Sequence, residues 1–423
     1  MVDFTFTKEY REWQAKAREL AAVFGQRARQ HDEAGQYPRE NMNELRDAGF
    51  LKLAVPAEYG GLSDESGFCN WLPHLAIEEI AKKCGGTAWC LMTHYHACGL
   101  LTTLGSDKQK RDIFGDVVSN GALIATLGSE VQPQQMKSLQ SKAGPLISFE
   151  AGMKPVQGGF VANARKGFCS TAKEADYIIY WAQAPGTQAG GDGLTMSIVP
   201  RSSPGLKFLP GWEEAIGIRS SESGGLILED VFIPWENVLG QPGDYVQLHP
   251  YTFELSYAVY LLGLAQGAYD FLRDSLQERE FLQEDDTVMY MLGEMSSELQ
   301  ALRTSCWYSQ WLWDQRNYEE AHQAALRALH VAKKVSVKLS TDGFELIGVR
   351  ALFKFNPLER IWRDIRTASL HTRESQFMRL LAQAELRGEK FPKQKYGNKI
   401  AERKTWEELL GAISENLPSR AAD

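Results

Sequence analysis

No two of the six cysteines stand in C-x-x-C spacing, no run reaches the roughly 18 apolar residues of a membrane-crossing helix, and no stretch of the chain repeats itself. Positive charge is also in short supply. Lys and Arg number 46 against 54 Asp and Glu, for a net charge of −8 and a pI near 5.7. Each absence removes a class of function. Scattered thiols (Cys69, Cys84, Cys90, Cys98, Cys169, Cys306) and the lack of an apolar leader before Tyr10 point to reduced cysteines and a cytoplasmic location. The acidic balance argues against a nucleic-acid partner, and the basic stretch from Arg387 to Lys404 reads as a solvated linker. His94 and His96 have no Cys or Asp at ligand spacing, so no metal site is expected.

What is present is a chain of 423 residues, 43% hydrophobic and 24% charged, long enough for several packed domains. Its texture changes twice. Residues 1–122 are helical in pattern: Tyr10, Trp13, Ala17, Leu20 and Phe24 share one face. Gly49 ends a second helix, Gly85-Gly86 end a third, and Ser106 with Gln109 has capping-box spacing. Residues 123–240 carry short β-branched and aromatic runs such as 159–163, 177–181 and 196–199, with a Gly-rich insert from Ala184 to Gly193. Helical patterns return over 241–386, through Leu261 to Ala265, Val288 to Leu299, Ala325 to Leu339 and Arg366 to Leu386. Residues 387–423 form an extension with a helical piece around Trp406 to Leu417.

One stretch fixes the register of the rest. From Gly211 to Gly240 a polar Gly/Ser loop (Ser220 to Gly225) leads into an apolar strand that Pro234 ends. Trp212, Gly217, Arg219, Ser220, Glu229, Asp230, Val231, Pro234, Glu236, Asn237, Leu239 and Gly240 make it resemble the segment closing the middle domain of acyl-CoA dehydrogenases and related flavoproteins. Val55 to Leu62 similarly resembles the P-x-E-Y-G-G-L-G loop of that superfamily. The resemblance spans about residues 5–386. It implies an α+β, acyl-CoA-dehydrogenase-like subunit: an N-terminal all-α domain (1–122), a middle β-sandwich or barrel (123–240) and a C-terminal four-helix bundle (241–386). It also implies a homodimer or homotetramer holding FAD or FMN near a subunit interface.

The resemblance assigns roles residue by residue. Lys166 to Ala172 is similar to K-x-W-I-T-N-G, which places Phe168 against the flavin and the Ser170 hydroxyl at its N5/O4 edge; an ordinary strand with an inward Phe is the plainer alternative. Ser129, in Leu127 to Val131, falls where the family reaches the pyrimidine edge, although Gln134-Gln135 replace the Gly-Ser that helps hold acyl-CoA. The diphosphate motif is eroded. Glu278 to Asp286 is acidic and lacks the glycine of R-x-x-F-G, and only Gly348 and Arg350 stand in place of the adenosine-cradling glycines. Arg350 either meets a flavin phosphate or is an ordinary surface arginine.

The family's usual base is missing. With Arg363-Asp364 in register, Thr372 takes the place of the catalytic glutamate and His371 that of the preceding tyrosine, and a threonine cannot deprotonate a carbon acid. Glu254 lies one residue, about 100° around a helix, from the other position where relatives carry that glutamate. It is either a displaced base or a helix-start carboxylate. Relatives without the glutamate are two-component monooxygenases that take reduced flavin from a separate reductase. The expected function is therefore a flavin-dependent monooxygenase using reduced flavin and O2 on a small organic substrate, with His371 and Ser170 as hydrogen-bond donors and His94 and His96 near the flavin's dimethylbenzene end or the substrate mouth. The alternatives are an acyl-CoA or acyl-carrier-protein dehydrogenase using Glu254 and an external electron acceptor, or a non-catalytic subunit partnering an active homologue.

Overall fold

In a computed structural model of the chain, residues 5–64, 71–127, 152–185, 193–245, 253–372, 374–388 and 410 are described. Five helices come first. α1 (Lys8–Ala34) opens where the Thr7 side chain accepts from the Tyr10 amide, closes at left-handed Gly35, and buries Ala17, Ala21, Phe24 and Ala28 along one stripe. α2 (Arg39–Asp47), α3 (Trp71–Ala81), α4 (Gly85–Leu104) and α5 (Asp107–Asn120) follow, the last with the expected capping box at Ser106 and Gln109.

Gly85 and Gly86 do not end a helix as their type suggested; they begin α4. The reason is contact. A Cβ on Gly86 would lie 1.8 Å from Ser220 Oγ, and one on Gly85 would lie 2.6 Å from Asp364 Oδ2, so the α4 N-terminus needs bare backbone to meet the β-domain and the bundle together.

Among the described residues the middle region forms two four-stranded sheets. One has the order β1 (Ile124–Leu127), β4 (Tyr177–Gln183), β5 (Leu194–Pro200), β8 (Val238–Leu239). The other runs β2 (Met153–Val156), β3 (Gly159–Cys169), β7 (Gly224–Pro234), β6 (Leu206–Leu209). All pairs are antiparallel except β1 with β4, and the sheets touch through β1 with β3 and β5 with β7. Of the sandwich or barrel expected from the sequence, two facing sheets are what form. β7 ends at Pro234, as the missing amide requires.

The bundle comprises α6 (Phe253–Gln277), α7 (Asp286–Asp314), α8 (Tyr318–Ile347) and α9 (Pro357–Ser369), with α10 (Glu374–Arg387) on α8. α6 is its central element, packed on α3 as well as on its bundle neighbours. The single helix expected over Arg366 to Leu386 is broken after Ser369, and the Leu370 and His371 amides close the last turn of α9 onto Thr367 and Ala368. Helical periodicity continues across that gap, so the interruption carries no sequence mark such as Pro or Gly. The Ala184–Gly193 insert and the helical piece around Trp406 to Leu417 fall largely outside the described residues.

Candidate active site

The site begins at a defect in β3. Its register with β7 shifts between Lys166 and Cys169, and within that bulge Phe168 adopts φ 57°, a conformation costly for a bulky residue. The bulge swings the chain out of the sheet at Ser170. Phe168 itself packs edge-on against Trp212, the rings 5.7 Å apart, and Lys166 lies fully buried with its ammonium 5.2 Å from the Tyr180 ring.

Ser170 Oγ accepts from the Trp89 indole N–H at 3.1 Å and lies 2.6 Å from Ser223 Oγ, which is 2.7 Å from Ser221 Oγ. Around Trp89 gather His371 at 4.8 Å, Tyr260 at 5.2 Å and Tyr257 at 5.7 Å between ring centroids, with His371 and Tyr257 5.5 Å apart. All three regions of the chain contribute. Trp89 comes from α4, Ser170 from the end of β3, Tyr257 and Tyr260 from α6, and His371 from the break between α9 and α10.

That break is held from α8. The buried Lys333 ammonium donates to the Thr372 carbonyl at 2.9 Å, and His330 pairs with Glu374 just beyond. His371 is ringed by protein yet keeps an open surface, as a group does when it lines a cleft. Those surroundings, and secondarily the Lys333 charge, lower its pKa, so the imidazole is neutral at pH 7.

Glu254 occupies the first turn of α6, its carboxylate 4.0 Å from His322 Nε2 on α8. Burial lowers the His322 pKa, with Glu254 acting the other way. Burial and the Glu254 charge together raise the pKa of both Tyr245 and Tyr257. His96 stands on the other side of Tyr257, its ring 5.3 Å away, and its Nε2 lies 2.6 Å from Ser256 Oγ. Tyr257 therefore touches Trp89, His371 and His96 and feels the Glu254 charge, which links the Ser170–Trp89–His371 group to the Glu254–His322 pair.

The sequence-assigned residues do not all converge. Ser170, His371 and Thr372 come together, and Glu254 is one ring away. Gly348 and Arg350 are exposed at the end of α8, about 20 Å along its axis from Lys333. Ser129 lies outside the described residues. His94 is a structural tie and not part of the substrate mouth: its Nδ1 accepts from the Ile124 amide at 3.1 Å, which leaves Nε2–H to donate to the Leu51 carbonyl at 3.0 Å. Among the described residues no group of His, Cys, Asp and Glu could hold a metal ion.

Trp89, Tyr257, Ser223 and Lys333 carry no sequence flag for a role here. α4 is buried on nearly every side, so its pattern gives no preferred face on which to single out Trp89. The site fits the edge of a planar, polar aromatic group. An aromatic wall stands beside Ser170, and two buried hydroxyls next to its members, Thr171 Oγ1 and Thr372 Oγ1, have no protein partner.

An N-terminal helical region, a two-sheet middle region and a helical bundle, with an aromatic cluster where the three meet, describe the class. Residues 7–121, 145–231 and 255–376 match the N-terminal, middle and C-terminal domains of acyl-CoA dehydrogenase, and the chain belongs to that family of flavin oxidoreductases. It is 24% identical over 399 residues to a short-chain-specific acyl-CoA dehydrogenase of Clostridium acetobutylicum, covering 91% of this chain and 100% of the relative. It is 25% identical over 387 residues to a dibenzothiophene monooxygenase of Rhodococcus qingshengii, covering 84% and 89%. The FMN-bound dibenzothiophene monooxygenase of Paenibacillus sp. A11-2 superposes with a TM-score of 0.78 at 22% identity, over 90% of this chain and 98% of that one.

Proposed function

We propose that this chain is a flavin-dependent monooxygenase that uses reduced FMN or FAD and O2 to oxygenate a small organic substrate. The observation that carries the reading is the break between α9 and α10. There, by the resemblance, Thr372 stands at the position of the family's carboxylate, and a neutral His371 packs on Trp89 beside it. A neutral imidazole and a hydroxyl can donate hydrogen bonds, but neither is a base for a thioester α-proton.

A reduced flavin bound here would supply the two electrons that O2 needs for one oxygen atom to enter the substrate and the other to leave as water. Ser170 holds the ring edge, and Trp89, Tyr257 and Tyr260 exclude water from one side. His371 donates a hydrogen bond to the developing negative charge on oxygen without bringing a fixed charge of its own. Phe168, Gly348, Arg350 and Ser129 keep the cofactor-binding roles their motifs imply.

Reduced flavin comes from a separate reductase on this reading. A second copy of the chain covers Val349, Leu352, Phe353 and Phe355, which are 54–71% exposed. The described thiols are free and buried, which suits the cytoplasm, and no helix among the described residues is long and apolar enough to cross a membrane.

The test is to mix the reduced flavin–protein complex with O2 and follow flavin absorbance by stopped flow. A lag before oxidised flavin returns is expected. Single-phase reoxidation, together with acyl-thioester oxidation that disappears in Glu254→Gln, would replace this reading with a dehydrogenase using the carboxylate beside His322.

A further inference from the structure

Trp89, Ser170, Ser223 and Ser221 form a chain of polar groups 4%, 8%, 3% and 0% exposed, linked at 3.1, 2.6 and 2.7 Å. The direction of its protons follows by elimination. An indole N–H only donates, so Ser170 accepts from Trp89. Each hydroxyl has one proton to place. If Ser170 donated to Ser223 and Ser223 to Ser221, the Ser221 proton would be stranded in the fully buried end, where Ser223 is the only hydrogen-bond partner of its hydroxyl among the described residues. If Ser223 accepted from both neighbours, its own proton would be stranded. A buried donor without an acceptor forfeits its hydration and gains nothing in return. Only the order Ser221 to Ser223 to Ser170 gives every enclosed proton an acceptor. It leaves one proton unspent, on the most exposed of the four, beside the Trp89–His371 wall.

We infer that Ser221 and Ser223 are positioning residues that make Ser170 an obligate hydrogen-bond donor, so that the ligand atom meeting Ser170 is an acceptor. With one lone pair taken by Trp89 and the other by Ser223, Ser170 cannot receive an N–H. The inference rests on the reading that a flavin fills the cleft. Under it, the partner of Ser170 is a ring carbonyl oxygen or an unprotonated ring nitrogen.

Two measurements on the full chain test this. In ligand-free protein, Ser221→Ala removes the first donor and strands no proton, whereas Ser223→Ala strands the Ser221 proton and strips Ser170 of a donor. Ser223→Ala is therefore expected to lower the melting temperature more than Ser221→Ala, with Ser223→Thr restoring it. Under the reverse order Ser221→Ala would strand the Ser223 proton, while Ser223→Ala would free the Ser170 proton to turn into the cleft, so Ser221→Ala falling as far or further overturns the inference.

In the second measurement, oxidised FMN and FAD are titrated by fluorescence. Ser223→Ala is expected to weaken binding by about fivefold, one hydrogen bond's worth, and to shift the visible absorbance band, with Ser223→Thr reversing both. A folded Ser223→Ala protein with wild-type affinity and spectrum also overturns it. Wild-type protein that binds neither flavin sinks the proposed function instead, and the melting order still decides the direction of the hydroxyl chain.

Discussion

The Lys333 ammonium donates to the carbonyl of Thr372 at 2.9 Å, tying the middle of α8 to the gap between α9 and α10. Burial pulls the Lys333 pKa down while Glu374 nearby pulls it up, and the retained charge is the second cause of the low His371 pKa. Lys333→Met keeps the stem and removes both charge and bond. The His371 pKa is then expected to climb toward its ordinary value of 6.5, read from ring-proton chemical shifts across a pH series. Stability in urea is expected to fall by about 1–3 kcal/mol because a carbonyl loses its donor. An unmoved His371 titration would show that the ammonium does not govern the imidazole.

Gly86 and Gly115 make opposite predictions from one substitution. A Cβ at Gly86 meets Ser220 Oγ at 1.8 Å, so Gly86→Ala must displace the Ser220 side chain or the α4 N-terminus beside the turn that holds the serine chain. Overpacking of that kind costs about 1–3 kcal/mol. At Gly115, inside α5, nothing lies within 4 Å of an added Cβ, and Gly115→Ala is expected to stabilise by about 0.5–1 kcal/mol through helix propensity alone. Urea unfolding of the two variants should move in opposite directions. Equal shifts would mean the α4 contact is softer than its geometry.

The scaffold was legible in the sequence because its signals are local. The α1 stripe from Tyr10 to Phe24, the Ser106–Gln109 box and the end of β7 at Pro234 each follow from a few adjacent residues. The candidate site was legible only where a motif pointed, at Ser170, His371 and Thr372, which the fold brings near Trp89. Trp89 was hidden in a helix buried on all sides, Ser223 in a stretch that reads as loop, and Lys333 among ordinary helix-forming residues. Their roles arise from contacts made across 81, 53 and 39 residues of chain. Gly85-Gly86 was misjudged for a related reason. Glycine marks both helix ends and close approaches, and only the partner across the gap, Ser220, separates the two.

His94 makes the fold acid-sensitive. Its neutral ring accepts from Ile124 and donates to Leu51, and burial holds its pKa at about 4, against 6.5 when free. The unfolded chain therefore binds the proton more tightly than the folded one. Stability contributed by this group is complete above pH 6.5 and drains away as pH falls toward about 4, amounting to about 3 kcal/mol over that window. His94→Gln is expected to be less stable at neutral pH but to lose less on acidification. Urea midpoints at pH 7 and pH 4.5 check it, and a wild-type slope in the variant would assign the acid sensitivity to other groups.

Asp32 is where the N-terminal helices meet the bundle and the Gly211–Gly240 segment at one residue. Its carboxylate takes two bonds from Arg363 on α9, at 3.1 and 2.6 Å, and its carbonyl accepts from Arg219 at 2.9 Å. Arg363 also donates to the Ile216 carbonyl, and the neighbouring Asp364 accepts from the Ile218 amide, so the turn leading to the serine chain is clamped from α9. Asp32→Ala leaves the guanidinium paired only with Glu359, and losing one partner of so enclosed a pair costs about 3 kcal/mol or more. It also removes a negative charge that, after burial, helps hold the Asp364 pKa up to about 7, so that carboxyl should ionise at lower pH in the variant. Amide exchange at 216–221 should quicken while that of the α1 interior changes little. Uniform acceleration across the chain would mean that Asp32 supports global stability and not the docking of this turn, and flavin affinity would then fall only in proportion to the unfolded fraction.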